Sequence, residues 1–296
     1  MSVPFCGLEL AHPIINASGT FDLLAARSAF GEEALRAGFP FAAFVSKTIT
    51  LQARAGNPPP RLFEAPAGLI NSIGLPNKGL EGYLAEDLPA ISSVLGACAV
   101  PLITNVMGSD AAEIATLLER CEERTEIAAI ELNVSCPNVK TGLDIGSDPA
   151  ALESVVRGVR RATRKPLIVK LTPNTADVAA CAHAAEAAGA DAVSLINTLR
   201  AMALAPPGRG GQGRTAARPW LGGGTGGLSG AAIRPVALAQ VAAVAASVAI
   251  PIVGMGGVQS AAHARDLLNA GATLVAVGTE SFRDPTAGAR IARGLC

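Results

Sequence analysis

Aromatic side chains are scarce in this chain: Phe, Tyr and Trp together make up 3% of 296 residues, with one Tyr and one Trp. Half of the residues are nonetheless hydrophobic. A core must therefore be built from Ala, Val, Leu and Ile, the composition of parallel strands covered by helices, and an all-β or disordered chain fits poorly. Net charge is missing too. Lys plus Arg and Asp plus Glu number 24 each, which argues against a broad electrostatic footprint for nucleic acid or an anionic membrane and points to a small ligand. No uncharged apolar run of about 18 residues occurs, and Met1–Leu10 lacks the basic-then-apolar order of a signal peptide. A cytoplasmic protein without a membrane or nucleic-acid partner is expected.

Metal-binding patterns are also lacking. The cysteines Cys6, Cys98, Cys121, Cys136, Cys181 and Cys296 include no C-x-x-C pair and no ligand spacing, so neither zinc nor a cluster is expected on this chain alone. Most read as small buried apolar residues.

What is present is an alternation. Short β-rich runs fall at Pro13–Ala17, Phe44–Thr48, Pro101–Val106, Ala129–Val134, Pro166–Leu171, Ala192–Asn197, Ile250–Gly254 and Leu274–Val277. Between them lie Ala-rich amphipathic segments, among them Ala111–Arg124, Pro149–Thr163, Thr175–Ala188, Ala231–Ala246 and Ser260–Ala270. Eight such units predict an α/β fold of the (β/α)8 barrel type, one domain over residues 1–296. Three long connections, Gln52–Leu80, Cys136–Asp148 and Leu199–Gly230, break the regularity and are expected as functional loops at the carboxyl face.

In a barrel the chemistry gathers where strands end. The residues there are Ser18, Lys47, Asn105, Asn133, Lys170, Asn197, Gly256 and Gly278. A single Lys at a strand end is commonly a snorkelling surface group. Two lysines and three asparagines converging on one mouth are different, since buried polar groups need a partner or a ligand. The last two strands run into GMGG (Gly254–Gly257) and VGT (Val277–Thr279). Glycine turns can simply join strand to helix, but in this position their amides and the positive ends of the following helices suit a phosphate. The run Gly222–Gly227 satisfies G-x-G-x-x-G without a preceding strand, and Val241–Ile250 offers no acidic residue for a ribose, so a dinucleotide fingerprint is rejected.

Cys136, in ELNVSCPN (Glu131–Asn138), enters the loop beyond Asn133. A Cys–His nucleophile is not supported, because His12, His183 and His263 fall before the first strand or on outer helices. A thiolate acting as a base beside a flavin needs no triad.

With these residues the chain resembles the class 1 dihydroorotate dehydrogenases over nearly its whole length. NASG, SKT, NSIGLPN, ELNVSCPN, VKLTPN, INT, TGGLSG, GMGG and AVGT occur in that order. The resemblance implies oxidation of (S)-dihydroorotate to orotate in pyrimidine biosynthesis, with one FMN over the mouth. Its contacts would be Ser18, Lys47, Thr48, Asn105, Asn133, Lys170, Ile196, Gly230, Gly256, Gly257, Gly278 and Thr279, with Lys170 near the flavin N1 and O2 edge. Dihydroorotate would be gripped by Lys47, Asn71, Ser72, Ile73, Gly74, Leu75, Asn133, Asn138, Asn197 and Thr198. Cys136 would be the general base, with Lys47 alongside it in the catalytic set.

The resemblance also informs the subclass. Class 2 enzymes carry an N-terminal extension and a serine base, whereas this chain begins at the barrel and has Cys136. NVKTG (Asn138–Gly142) resembles the NAD-linked class 1B. There the barrel subunit, itself a homodimer, pairs with a subunit bearing FAD and a two-iron, two-sulfur cluster, in a heterotetramer that passes electrons to NAD. The stretch Leu204–Gly224, with Arg209, Arg214 and Arg218, departs from the family pattern and reads as a solvated loop. Two rivals stay open: a flavin barrel reducing a pyrimidine in the manner of dihydropyrimidine dehydrogenase, and a barrel that holds flavin only as a scaffold.

Overall fold

The computed structural model describes residues 2–134, 145–206 and 218–295. Each of the eight β-runs forms a strand: β1 (Ile14–Asn16), β2 (Phe44–Val45), β3 (Leu102–Val106), β4 (Ile127–Asn133), β5 (Leu167–Lys170), β6 (Ala192–Leu195), β7 (Ile252–Met255) and β8 (Leu274–Val277). They pair in parallel in one sheet, and each except β1 hydrogen-bonds along the ladder to the strand that follows it in sequence, with β8 returning to β1. The seam between β1 and β2 is closed differently. The Ala42 amide donates to the Ile14 carbonyl at 2.9 Å. Asn16 then acts as a piece of backbone: its Nδ2 donates to the Val45 carbonyl and its Oδ1 accepts from the Val45 amide, both at 2.8 Å. The result is a closed parallel barrel.

Side-chain alternation sorts the strands into two faces. Ile15, Val45, Ile103, Ala129, Ile168, Ala192, Val253 and Leu274 fill the interior, and Phe5 and Leu10 from an N-terminal hairpin (Val3–Phe5 with Leu8–Leu10) plug its lower end. The opposite face packs Val106, Ile130, Leu132, Val169 and Val193 against the helices. Several helices start where a capping residue stands: Asp110 accepts from the Ala112 and Glu113 amides at 2.9 Å, Asp177 from Ala180 at 2.9 Å, and Ser260 from His263 at 3.2 Å. Such caps satisfy amides that the first helical turn leaves unpaired.

Two of the three long connections contain strands. Leu62–Ala65 and Gly68–Asn71 form a hairpin, Leu199–Ala201 and Gly226–Ser229 pair beside it, and the four make one antiparallel sheet above the barrel mouth. The connection at Cys136–Asp148 falls mostly outside the described residues, as do Arg209 and Arg214 of the Gly, Pro and Arg-rich stretch. Among the described residues no helix is long and apolar enough to cross a membrane.

Candidate active site

Between the carboxyl ends of the strands and the cap sheet lies a cleft of 1160 Å³. That exceeds the usual range for a small ligand and suits a nucleotide-sized group with a second small ring. It brings together Ser18, Lys47, Thr48, Asn133, Lys170, Ile196, Gly230, Gly256, Gly257, Gly278 and Thr279 from the expected flavin set. From the expected substrate set it adds Asn71, Ile73, Leu75, Asn197 and Thr198.

Only some residues of NSIGLPN reach the cleft: the strand ends at Asn71, and beyond it the chain turns through positive φ at Gly74 (+76°) and Leu75 (+56°). Asn71, Ile73 and Leu75 line the cleft, while the intervening Ser72 and Gly74 do not. Ser72 is buried, with its Oγ accepting from Asn57 Nδ2 at 3.0 Å. Gly74 sits against the same residue, so close that a Cβ there would lie 2.5 Å from the Asn57 amide nitrogen. Asn71 is held by its Nδ2, which donates to the Gly227 carbonyl at 3.2 Å. Thr198 packs on Gly227 from the other side, leaving no room for a side chain at that glycine.

The two lysines differ. Lys47 is exposed and makes no ion pair with any described residue, so its charge is available to a ligand carboxylate. Lys170 is 5% exposed, with its ammonium 3.7 Å from Glu131 Oε1. Glu131 also accepts from Asn105 Nδ2 at 2.5 Å and from Ser194 Oγ at 2.7 Å. Neither Asn105 nor Glu131 lines the cleft; both lie below its floor. Glu131 is not among the strand-end residues that the sequence singles out, although a carboxylate inside an otherwise apolar β-run, two residues before Asn133, carries the signal of an inward-facing charge.

The glycine turns fit an anion. Gly256 and Gly257 hold φ of +134° and +69°, a backbone that L side chains rarely adopt. The amides of Gly256, Gly257, Gly278 and Thr279 have no hydrogen-bond partner among the described residues, leaving unpaired donors around one end of the cleft. Thr279 Oγ1 donates to Ser229 Oγ at 2.8 Å, tying the turn after β8 to the cap. The helix after β8, Glu280–Arg283, is a single turn, so loop amides rather than a long helix make this cradle. Below the floor, the buried Asn105 Oδ1 is an acceptor without a partner among the described residues. Unpaired donors at one end and a cation at the floor fit the phosphate and the ring edge of FMN.

Cys136 and Asn138 lie outside the described residues; the chain is led toward them by β4, which ends at Asn133. Among the described residues, burial pushes the thiol of Cys6 up to about 11 and that of Cys121 up to about 12, and also raises Cys98 and Cys181. No group of three or more His, Cys, Asp or Glu that could hold a metal occurs among the described residues.

Comparison with known proteins agrees with this geometry. The family model for dihydroorotate dehydrogenase matches residues 1–296. The chain is 45% identical over 300 residues to the dihydroorotate dehydrogenase B (NAD(+)) catalytic subunit of Pelobacter propionicus, covering 100% of this chain and 92% of that one. The subunits of the same name from Trichlorobacter lovleyi and Geotalea daltonii are 45% and 43% identical, again over 100% of this chain and 92% of theirs. Motifs, barrel and cleft thus converge, and the chain belongs to the dihydroorotate dehydrogenase family.

Proposed function

We propose that this chain is the catalytic subunit of an NAD-linked dihydroorotate dehydrogenase, one barrel domain that binds FMN and oxidises (S)-dihydroorotate to orotate in the cytoplasm. The observation that carries the reading is the cleft itself: Lys47, Lys170, Asn71, Asn133 and Asn197 converge at the mouth of the barrel beside a cradle of unpaired glycine amides.

Gly256, Gly257, Gly278 and Thr279 would hold the FMN phosphate by backbone N–H groups, with Gly230 shaping the turn opposite. Ser18, Thr48, Asn133 and Ile196 would border the ring, with Asn105 beneath them, and Lys170 would stand at its N1 and O2 edge. When bound, FMN supplies the two-electron acceptor that takes hydride from C6 of the substrate. The chain's own residues supply the rest. Lys47 pairs with the substrate carboxylate, and Asn71, Asn133, Asn138 and Asn197 present the amide donors and acceptors that a dihydropyrimidine ring requires. Ile73, Leu75 and Thr198 close the substrate side of the cleft, over a layer stiffened by Ser72 and Gly74. Cys136, as thiolate, removes the C5 proton, so that one proton and one hydride leave the substrate together.

Electrons would pass to NAD through a separate subunit carrying FAD and a two-iron, two-sulfur cluster, in a heterotetramer built on a homodimer of this chain. The relatives' shared description as a catalytic subunit supports a partner. So do Phe30, Leu62 and Phe282, large apolar side chains exposed at the cleft rim. The chain purified alone is expected to bind one FMN and no iron. FAD as its tightly held flavin, or no flavin after reconstitution, contradicts the proposal.

A further inference from the structure

Below the floor of the cleft four successive strands each contribute one polar side chain: Asn105 from β3, Glu131 from β4, Lys170 from β5 and Ser194 from β6. Ladder register sets Asn105 directly opposite Glu131 and Ser194 opposite Lys170. All four are buried, with Glu131 3% exposed. Glu131 is the hub: Asn105 Nδ2 and Ser194 Oγ donate to its two oxygens, and the Lys170 ammonium lies 3.7 Å away. Of the four, only Lys170 reaches the cleft.

The fold does not require this cluster. The layer of the barrel beneath it is filled by Ile103, Ala129, Ile168 and Ala192, and a buried ion pair is seldom more stabilising than apolar residues of the same volume. A carboxylate fixed by two neutral donors directly behind the Lys170 ammonium at the cleft floor has an electrostatic consequence instead. It anchors the ammonium and offsets part of the field that the ammonium projects upward.

We propose that Glu131 is a positioning residue which, by holding and partly offsetting Lys170, sets the reduction potential of the flavin bound above. This rests on the reading that FMN occupies the cleft with its N1 and O2 edge at Lys170. Reduction puts negative charge on that edge, so the full field of Lys170 favours the reduced form and Glu131 moderates it. Asn105 and Ser194 hold the carboxylate in place.

The test is a spectroelectrochemical titration of FMN-loaded wild type, Glu131→Gln, Lys170→Met and the double variant. Glu131→Gln should shift the oxidised-to-reduced equilibrium about tenfold toward reduced flavin, ~30 mV more positive for a two-electron couple. Lys170→Met should move it the other way. In the Lys170→Met background the Glu131→Gln shift should largely vanish, because the carboxylate acts on the flavin by holding and offsetting that ammonium. A merely structural Glu131 would lower stability without this signed, Lys170-dependent shift. Should Glu131→Gln fail to fold, Glu131→Asp, with its charge one methylene further from Lys170, must shift the potential in the same direction by a smaller amount. An unmoved potential in both Glu131 variants, with Lys170→Met shifted, overturns this inference alone, and so does a shift that persists in full without Lys170. Wild type that binds no FMN, or Lys170→Met with an unchanged potential, overturns the flavin-site reading and this inference together.

Discussion

Replacing Gly257 by alanine separates strain in the protein from loss of a ligand contact. Gly257 holds φ +69°, and a Cβ there would lie 2.8 Å from both Arg234 Cβ and the Gly230 carbonyl oxygen. Keeping an L-residue in this left-handed region costs roughly 1–2 kcal/mol, but that cost applies with or without ligand and appears as stability, not affinity. The clash acts on affinity. Gly230 is itself fixed at φ +95° against Gly68, so the turn after β7 must swing away and carry the Gly257 amide off the phosphate. A hydrogen bond to a charged group is worth about 1.5–3 kcal/mol, which corresponds to a rise in the FMN dissociation constant of roughly ten- to 150-fold. Titrating flavin-free protein with FMN and following fluorescence quenching measures it. Gly158→Ala is the control: Gly158 lies on the helix Pro149–Val159, its added Cβ meets nothing within 4 Å, and the change should raise stability by about 0.5–1 kcal/mol with unchanged FMN affinity. If Gly257→Ala bound FMN within about threefold of wild type, the turn after β7 would not be the phosphate cradle.

Asn16→Ala leaves the amide and carbonyl of Val45 without the partners that close the barrel seam, and should lower the unfolding free energy by about 2–5 kcal/mol; a urea midpoint equal to wild type would show that the barrel closes without Asn16. Alkylation near neutral pH should mark Cys136 ahead of Cys6 and Cys121, whose thiols burial holds near about 11 and about 12, because only the thiolate reacts. Orotate should slow labelling at Cys136 alone. Mass spectrometry showing Cys121 labelled as fast as Cys136, or Cys136 unprotected by orotate, would remove the basis for a low-lying thiolate at the site.

The barrel was legible because a parallel strand buried on both faces is written in local sequence. Each run such as Leu167–Lys170 is a short block of Val, Leu and Ile with turn residues around it, and its polar terminal residue stands out against that background. The cap sheet was not legible for the converse reason. Gly226 and Gly227 carry no side chains to alternate, and their strand exists only through pairing with Gly68–Asn71, where Asn71 bonds to a residue 156 positions away. Ser72 and Gly74 show the limit of reading a motif as a block, since both pack against Asn57 while Asn71, Ile73 and Leu75 line the cleft. Asn16 and Glu131 sat within recognised motifs, but their roles depend on which strands adjoin, which only the assembled barrel reveals.

Transfer of a hydride and a proton out of dihydroorotate in this cleft is the step on which the proposed function stands. It is tested most directly by mixing the FMN-loaded protein with (S)-dihydroorotate in a stopped-flow spectrometer without oxygen, and quantifying orotate afterwards. Wild type should bleach its flavin and form one orotate per flavin reduced. Cys136→Ala, binding FMN normally, should bleach at least about a hundredfold more slowly, the usual worth of a general base. A flavin that dihydroorotate leaves oxidised in the wild-type protein, or one reduced equally fast without the Cys136 thiol, would contradict the account.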